Sequence, residues 1–439
     1  MTGINTLDLY LVDKGVAFEM MPKGLPRPPY DHPVSPYAIK LNGRPAQVLL
    51  AQTSFLAPED LPTGFDGFET YPESVISALL ERGRLEAMTL LNNNIQMFVD
   101  KKLLEREHLV LPTGKRGQYL CMKTEAFVEH YQGLVVPTDF KNVQALHDQA
   151  FDVGIYNQKR IEQLGLEDNK IPPFPETARR IIELFQQGGE FPMQDLVEIL
   201  EQDAPISAQV ISWANAAANT SRPGGAIYSV QGAINRLGTN KTLQYAMQSA
   251  MSNSFRVRKD LAPMVESACF NSLMSAFGAS HVHRLEGGAS PQSAYLVGLM
   301  HNLGEMLLMH FLSDHAVRFM RLHELNPHLS RESLSREVFR ISFASATHLL
   351  MKSWRMPQNM VDSCTALSTY NDSGADSLAN NVRSWQISVG DKGLVPLSFV
   401  PFGWREIPSF PVAESVIDAN LKQIADFRTQ ANMISRRST

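Results

Sequence analysis

Residues 195–218 read DLVEILEQDAPISAQVISWANAAA. Leu196, Ile199 and Leu200 fall on one face of a helix, and the second half of the run, from Ala204, keeps a helical period to its alanine-rich end. Similar segments lie on either side. PETARRIIELFQQ (175–187) places a proline in a helical first turn, where the missing N–H costs nothing. SVQGAINRLG (229–238) and NKTLQYAMQSAMSNSF (240–255) follow, each short and each ending near a breaker. No repeat of fixed period appears, which argues against a solenoid. The pattern predicts an irregular all-helical bundle.

The first third of the chain has a different character. Its opening 45 residues are broken by prolines. AQVLLAQTSFL (46–56) then reads as a buried strand, and PESVISALLERGRLEAM (72–88) has helical spacing. NIQMFVD (94–100) and HLVLPTGKRGQYLCM (108–122) return to strand-like runs, with a turn at Gly114–Gly117. These mixed elements predict an α/β domain over residues 1–135. A helical connector is expected at 136–164, the helical bundle at 165–390 and an extension at 391–439. SLANNVRSWQIS (377–388) would be the terminal helix of the bundle, and AESVIDANLKQIADFRTQANMI (413–434) a closing helix.

The chain has 439 residues, too many for one core, so two or three domains are expected. With 44% apolar and 19% charged residues it has the composition of a soluble globular protein. Forty basic against forty-five acidic side chains leave a net charge of −5, which makes nucleic acid an unlikely partner. Cys121, Cys269 and Cys364 are far apart and form no CxxC pair, so neither a disulfide framework nor a thiolate zinc site is expected. No signal-like N-terminus and no run of about 18 apolar residues is visible, and the expected location is the cytoplasm, away from any membrane.

The run LVGLMHNLGE (296–305) sets His301 beside Asn302 in apolar surroundings. Metal-dependent phosphohydrolases gather His and Asp side chains from several helices around an ion that acidifies a bound water, and an adjacent His-Asp pair is their best-known mark. Asn302 takes the Asp place here. A carboxamide brings no charge to offset dehydration of a divalent cation. His281, His283, His310, His315, His323 and His348 are scattered, and the first two do not share a helix face. A buried His301 hydrogen-bonded to backbone or neighbouring polar groups is the expected arrangement. Gly114–Gly117 carries a Lys-Arg pair that could touch a phosphate or form a solvated hairpin loop, but it lacks the frame of a phosphate-binding loop.

The segments from residue 165 to 390 resemble the HDOD domain, the helical HD-related output domain of bacterial signalling proteins. The resemblance rests on four blocks in order: Pro172–Pro175, Gln202–Pro205, Trp213–Asn215 and Ser229–Gly238. LVGLMHNLGE fits the family's later Ala-Gly-Leu-Leu-His-Asp-Ile-Gly segment. Two further family histidines fall on Asn271 and Phe343, and the paired histidines after the Trp-x-x-Pro step have no counterpart. The resemblance therefore implies a vestigial metal site at His301, Asn302, Asn271 and Phe343, with no cofactor. The N-terminal third bears a fainter resemblance to the YbaK-like aminoacyl-tRNA deacylases, at Gly15–Glu19 and Pro112–Gly117. Lys40 is then the nearest match to that family's functional lysine, but it precedes Asn-Gly where the family has an apolar strand.

The expectation is an α+β multidomain protein, a YbaK-like α/β domain followed by an all-α HDOD bundle. Its expected role is signal transduction without catalysis, through binding of a protein partner or a small signalling ligand, with homodimerisation possible. The alternatives are a metal-dependent phosphohydrolase of a nucleotide or cyclic dinucleotide, and a deacylase in the first domain.

Overall fold

The computed structural model describes residues 7–21, 34–51, 53–57, 68–70, 95–113, 118–142, 171–186, 191–221, 226–288, 291–326, 329–367, 377–391, 412 and 415–418. The helix expected at 72–88, the Gly114–Gly117 turn, the connector beyond Asn142 and most of the closing helix lie outside these residues. The chain forms two compact units: Met1–Gln149 with Phe319–Glu337, and Ala150–Arg318 with Val338–Thr439. Among the described residues no helix is long and apolar enough to cross a membrane.

The first unit contains α1 (Leu7–Asp13), β1 (Glu19–Met20), β2 (Ser35–Leu41), β3 (Arg44–Leu50), β4 (Ser54–Phe55), β5 (Phe68–Thr70) and β6 (Gln96–Asp100). Then come α2 (Lys101–Leu104), β7 (His108–Pro112), β8 (Tyr119–Lys123), α3 (Thr124–His130), β9 (Val135–Thr138) and β10 (Lys141–Asn142). Asn42 and Gly43, both at positive φ (52° and 74°), close the β2–β3 hairpin with the backbone such a two-residue turn demands. A five-stranded sheet runs β5-β2-β3-β6-β9, antiparallel through the hairpin and parallel from β3 to β9. A second sheet, β1-β8-β7, is antiparallel.

Alternation along β3 separates two cores, because successive side chains point to opposite faces. Ala46, Val48 and Leu50 pack with Ile39, Phe98 and Phe140. Leu49 joins Leu7, Leu11, Val99, Leu103 and Phe127 on the other side. The run 46–56, expected as one strand, is two. Ser54 N–H closes a turn onto Ala51 O (2.9 Å), and β4 pairs with β10 in a separate ribbon. The strands also continue past residue 135, since β9 completes the large sheet.

Phe319–Glu337 completes this unit. The Asn326 side chain, fully buried, accepts from Leu56 N–H (2.7 Å) and donates to Leu56 O (2.9 Å) and Leu322 O (2.8 Å). Every hydrogen of its amide is used, as burial requires. The buried Arg331 guanidinium lies 5.3 Å from the Phe319 ring centre, and burial pulls its pKa down to about 9.

The second unit is helical. It holds α4 (Glu176–Gln186), α5 (Met193–Glu201), α6 (Ala204–Ser221), α7 (Val230–Leu237), α8 (Thr239–Asn253), a 3-10 turn (Lys259–Leu261), α9 (Ala262–Leu285), α10 (Pro291–Met300) and α11 (Leu303–Phe311). α12 (Ser313–Leu325) starts here and ends in the first unit, and α13 (Arg331–Phe339) returns. α14 (Phe343–Ser353), α15 (Gln358–Ala366) and α16 (Ser377–Asp391) complete it. The helices expected from sequence at 175–187, 192–203, 204–218, 229–238 and 240–255 are all present, with ends shifted by a few residues.

Short polar side chains fix these helices at their ends. Asp203 accepts from Ile206 N–H (3.1 Å) at the start of α6 and from Thr177 Oγ1 (2.7 Å) on α4. Asn215 pins the loop before α7 by accepting from Ile227 N–H (2.8 Å) and donating to Ile227 O (2.9 Å). Trp354 donates from Nε1 to Pro172 O (2.7 Å), and its ring lies 4.9 Å from that of Phe174. The Pro172–Pro175 and Trp213–Asn215 blocks are thus joints between helices.

Candidate functional site

Glycines bring the helices around His301 close together. A Cβ on Gly298 of α10 would stand 2.6 Å from Ser275 O of α9, and one on Gly304 of α11 would stand 1.9 Å from Phe343 O of α14. Only glycine permits such approaches. His301 lies in the turn between α10 and α11, half-buried.

Both of its ring nitrogens are engaged. Nδ1 lies 2.7 Å from Gly298 O, and a carbonyl only accepts, so the hydrogen of the neutral imidazole sits on Nδ1. Nε2 then keeps a lone pair, 3.0 Å from Gln386 Nε2 of α16. The second hydrogen of that amide goes to Ser275 Oγ (2.8 Å). Burial pushes the His301 pKa down to about 4, against the opposing pull of the Gly298 carbonyl.

The His301 backbone is held as well. Thr347 Oγ1 of α14 shares its one hydrogen between His301 O (3.0 Å) and Phe343 O (3.0 Å), and accepts from Gly304 N–H (2.9 Å). Asn302 precedes α11 without capping it by its side chain, and its Nδ2 is buried with no hydrogen-bond partner. Asn271 of α9 is 2% exposed, and both of its amide atoms are buried without one. It lies one turn before Ser275, on the same face of α9. Phe343 opens α14, buried, with its ring 5.8 Å from Phe339.

Among the described residues, the other histidines do not join this group. His283 Nδ1 pairs with Asn381 Nδ2 (2.7 Å), His348 Nδ1 with Thr365 Oγ1 (2.8 Å), and His310 Nδ1 with the Arg256 backbone (2.9 Å to O). His323 lies parallel to Phe319, and burial lowers its pKa to about 4. Burial also lowers His281, with Arg284 adding to the effect. Among the described residues no three His, Cys, Asp or Glu side chains come together as a metal-binding group. Lys40 is half-buried on β2, in register with Pro45 and Glu69.

Three contributors were missed from sequence: Ser275, Thr347 and Gln386. Each is an uncharged polar residue within a helix, a signal too common to single out. Glu305, 1% exposed, was visible in the quoted run as its one carboxylate.

Residues 171–369 match the family described as the HDOD domain. The chain carries an HDOD domain. Helices α4 to α15 make it up, with His301, Ser275 and Thr347 inside the matched range and Gln386, on α16, beyond it. Nearly the whole chain is similar to a solved structure, a candidate signal transduction protein from Marinobacter aquaeolei VT8. That match has 19% identity, covers 98% of this chain and 99% of the other, and has a TM-score of 0.72, so the two share a fold. Two shorter solved proteins also align. One is a candidate phosphohydrolase from Shewanella amazonensis SB2B (18% identity, 61% of this chain and 94% of that one, TM-score 0.42). The other is an HDOD domain protein from Geobacter sulfurreducens (16% identity, 64% and 96%, TM-score 0.42). No curated protein matches the chain.

Proposed function

We propose that this is a regulatory protein of bacterial signal transduction, in which the HDOD domain acts by binding and not by catalysis. The observation that carries this reading is the bonding of His301. Its one lone pair receives a hydrogen from Gln386, and its hydrogen is given to Gly298 O, so a cation would have to displace Gln386 first. The residues at the other expected ligand positions do not fit a divalent ion either. Asn302 and Asn271 are neutral carboxamides and Phe343 has no donor atom, so none of the three brings a charge to offset the cost of dehydrating the metal.

The N-terminal unit, in this reading, is a degenerate YbaK-like domain kept for binding. Lys40 lies on β2, paired in register with Pro45 of β3 and Glu69 of β5, and so sits inside a regular strand ladder. The partner is a protein or a small signalling ligand in the cytoplasm, with a second copy of the chain as one possibility for the protein. The name of the Marinobacter relative agrees with a signalling role.

Elemental analysis of protein purified without chelator, beside His301→Ala, tests this. No stoichiometric metal in either sample is the expected result. A tightly held transition metal that disappears with His301 would overturn it, and hydrolysis of nucleotides and cyclic dinucleotides would be assayed next.

A further inference from the structure

We propose that the segment Phe319–Glu337 couples the state of the N-terminal unit to the His301 site. This rests on the regulatory reading above and supplies the route it needs. The segment is built into the first unit by the Asn326 clamp, which holds both backbone polar groups of Leu56. Asn326 is fully buried and its amide is saturated, so Leu56 cannot shift without breaking bonds that no water replaces. Both ends of the segment are helical and continue into the second unit, α12 on one side and α13 on the other.

The return path ends at the site. α13 runs to Phe339, and Arg340 then takes a left-handed backbone (φ 60°), rare for a side chain with a Cβ. Ile341 is fully buried, and Ser342 caps α14 by accepting from Ser345 N–H (2.9 Å). The connection between α13 and α14 is thus three residues, each fixed by backbone geometry, burial or a cap. One turn into α14, Thr347 bonds Gly304 N–H and His301 O. Because Gly304 leaves no gap between α11 and α14, displacement of α14 must disturb the His301 turn. Packed elements of this kind shift between discrete arrangements and do not deform smoothly.

Hydrogen exchange on the full-length protein tests the coupling at two amides. Asn326→Asp keeps the acceptor for Leu56 N–H and removes the donor to Leu56 O. Thr347→Val removes the acceptor of Gly304 N–H. Asn326→Asp should speed exchange at Gly304 about fivefold or more, and Thr347→Val should do the same at Leu56, since coupling between sites is reciprocal. Exchange that rises only around Leu56 in the first variant and only around Gly304 in the second would overturn the proposal. If Asn326→Asp does not fold, Thr347→Val read at Leu56 decides alone. Neither readout involves a metal or a ligand, so a metal found at His301 would sink the regulatory reading and leave this measurement intact.

Discussion

Gln386 reaches across 85 residues of sequence to place its amide nitrogen 3.0 Å from His301 Nε2. That bond fixes which ring nitrogen carries the hydrogen and occupies the only position from which the imidazole could bind a cation or a proton.

Replacing Gln386 with Glu would put a carboxylate against that lone pair. An opposite charge favours the imidazolium, so the His301 pKa should climb from about 4 towards its ordinary value or above it. Imidazole nitrogen shifts followed by NMR through a pH titration would show the midpoint move. An unmoved midpoint would mean that Gln386 does not face the ring in solution.

His301 and His323 both fold neutral, each with a pKa of about 4 against an ordinary 6.5. Above pH 6.5 neither folded nor unfolded chain protonates them, and their contribution is complete. Between 6.5 and about 4 the unfolded chain binds protons that the folded chain refuses, so stability falls as pH falls. Each site can remove up to about 3 kcal/mol over that window. Urea unfolding across the range should show the loss, and His301→Asn should flatten it. Parallel curves for the two proteins would contradict the burial described for this ring.

Gly304→Ala would place a methyl 1.9 Å from Phe343 O and 2.4 Å from Thr347 N, both backbone atoms that cannot swing aside. Forced separation of α11 and α14 should cost about 3 kcal/mol or more. The denaturation midpoint would drop accordingly. A small change would show that these helices are not in contact at Gly304.

Asn215→Ala removes two bonds to Ile227 and leaves that half-buried backbone pair without its side-chain partner. A loss of about 1–3 kcal/mol is expected, with faster amide exchange at Ile227 and Ser229. Tyr228, 88% exposed on the same loop, should keep its fluorescence unchanged.

The helices were legible because their apolar faces repeat at a spacing set by local geometry, as Leu196, Ile199 and Leu200 show. In the first unit the apolar runs at 46–56, 94–100 and 108–122 were legible as strands, whereas β1 and β2, in the proline-broken opening, and the three-residue β5 were not. The bond from Ser54 to Ala51 splits one apolar run into two strands, and its apolar residues give no warning of it. β9 and β10 escaped because Val135–Thr138 and Lys141–Asn142 are too short and too exposed to carry a pattern. At the site, the residue types at Asn302, Asn271 and Phe343 could be read one position at a time. What holds His301 could not, since Gly298 is local but Gln386 and Thr347 arrive from distant helices. Asn326 was hidden likewise: a polar residue after a helix looks like an ordinary terminus until its partner at Leu56 is seen.

The Asn326 clamp also bears on how the protein is made. A chain leaving the ribosome exposes Met1–Gln149 first, and the part that completes that unit is not synthesised until Glu337. At ordinary elongation rates the wait is roughly ten to forty seconds, long compared with the folding of most small domains. During that interval the Leu56 backbone has no partner from Asn326, and neighbouring nascent chains on a polysome carry the same unfilled position. The time this unit spends incomplete during synthesis is therefore set by the length of chain between Gln149 and Phe319.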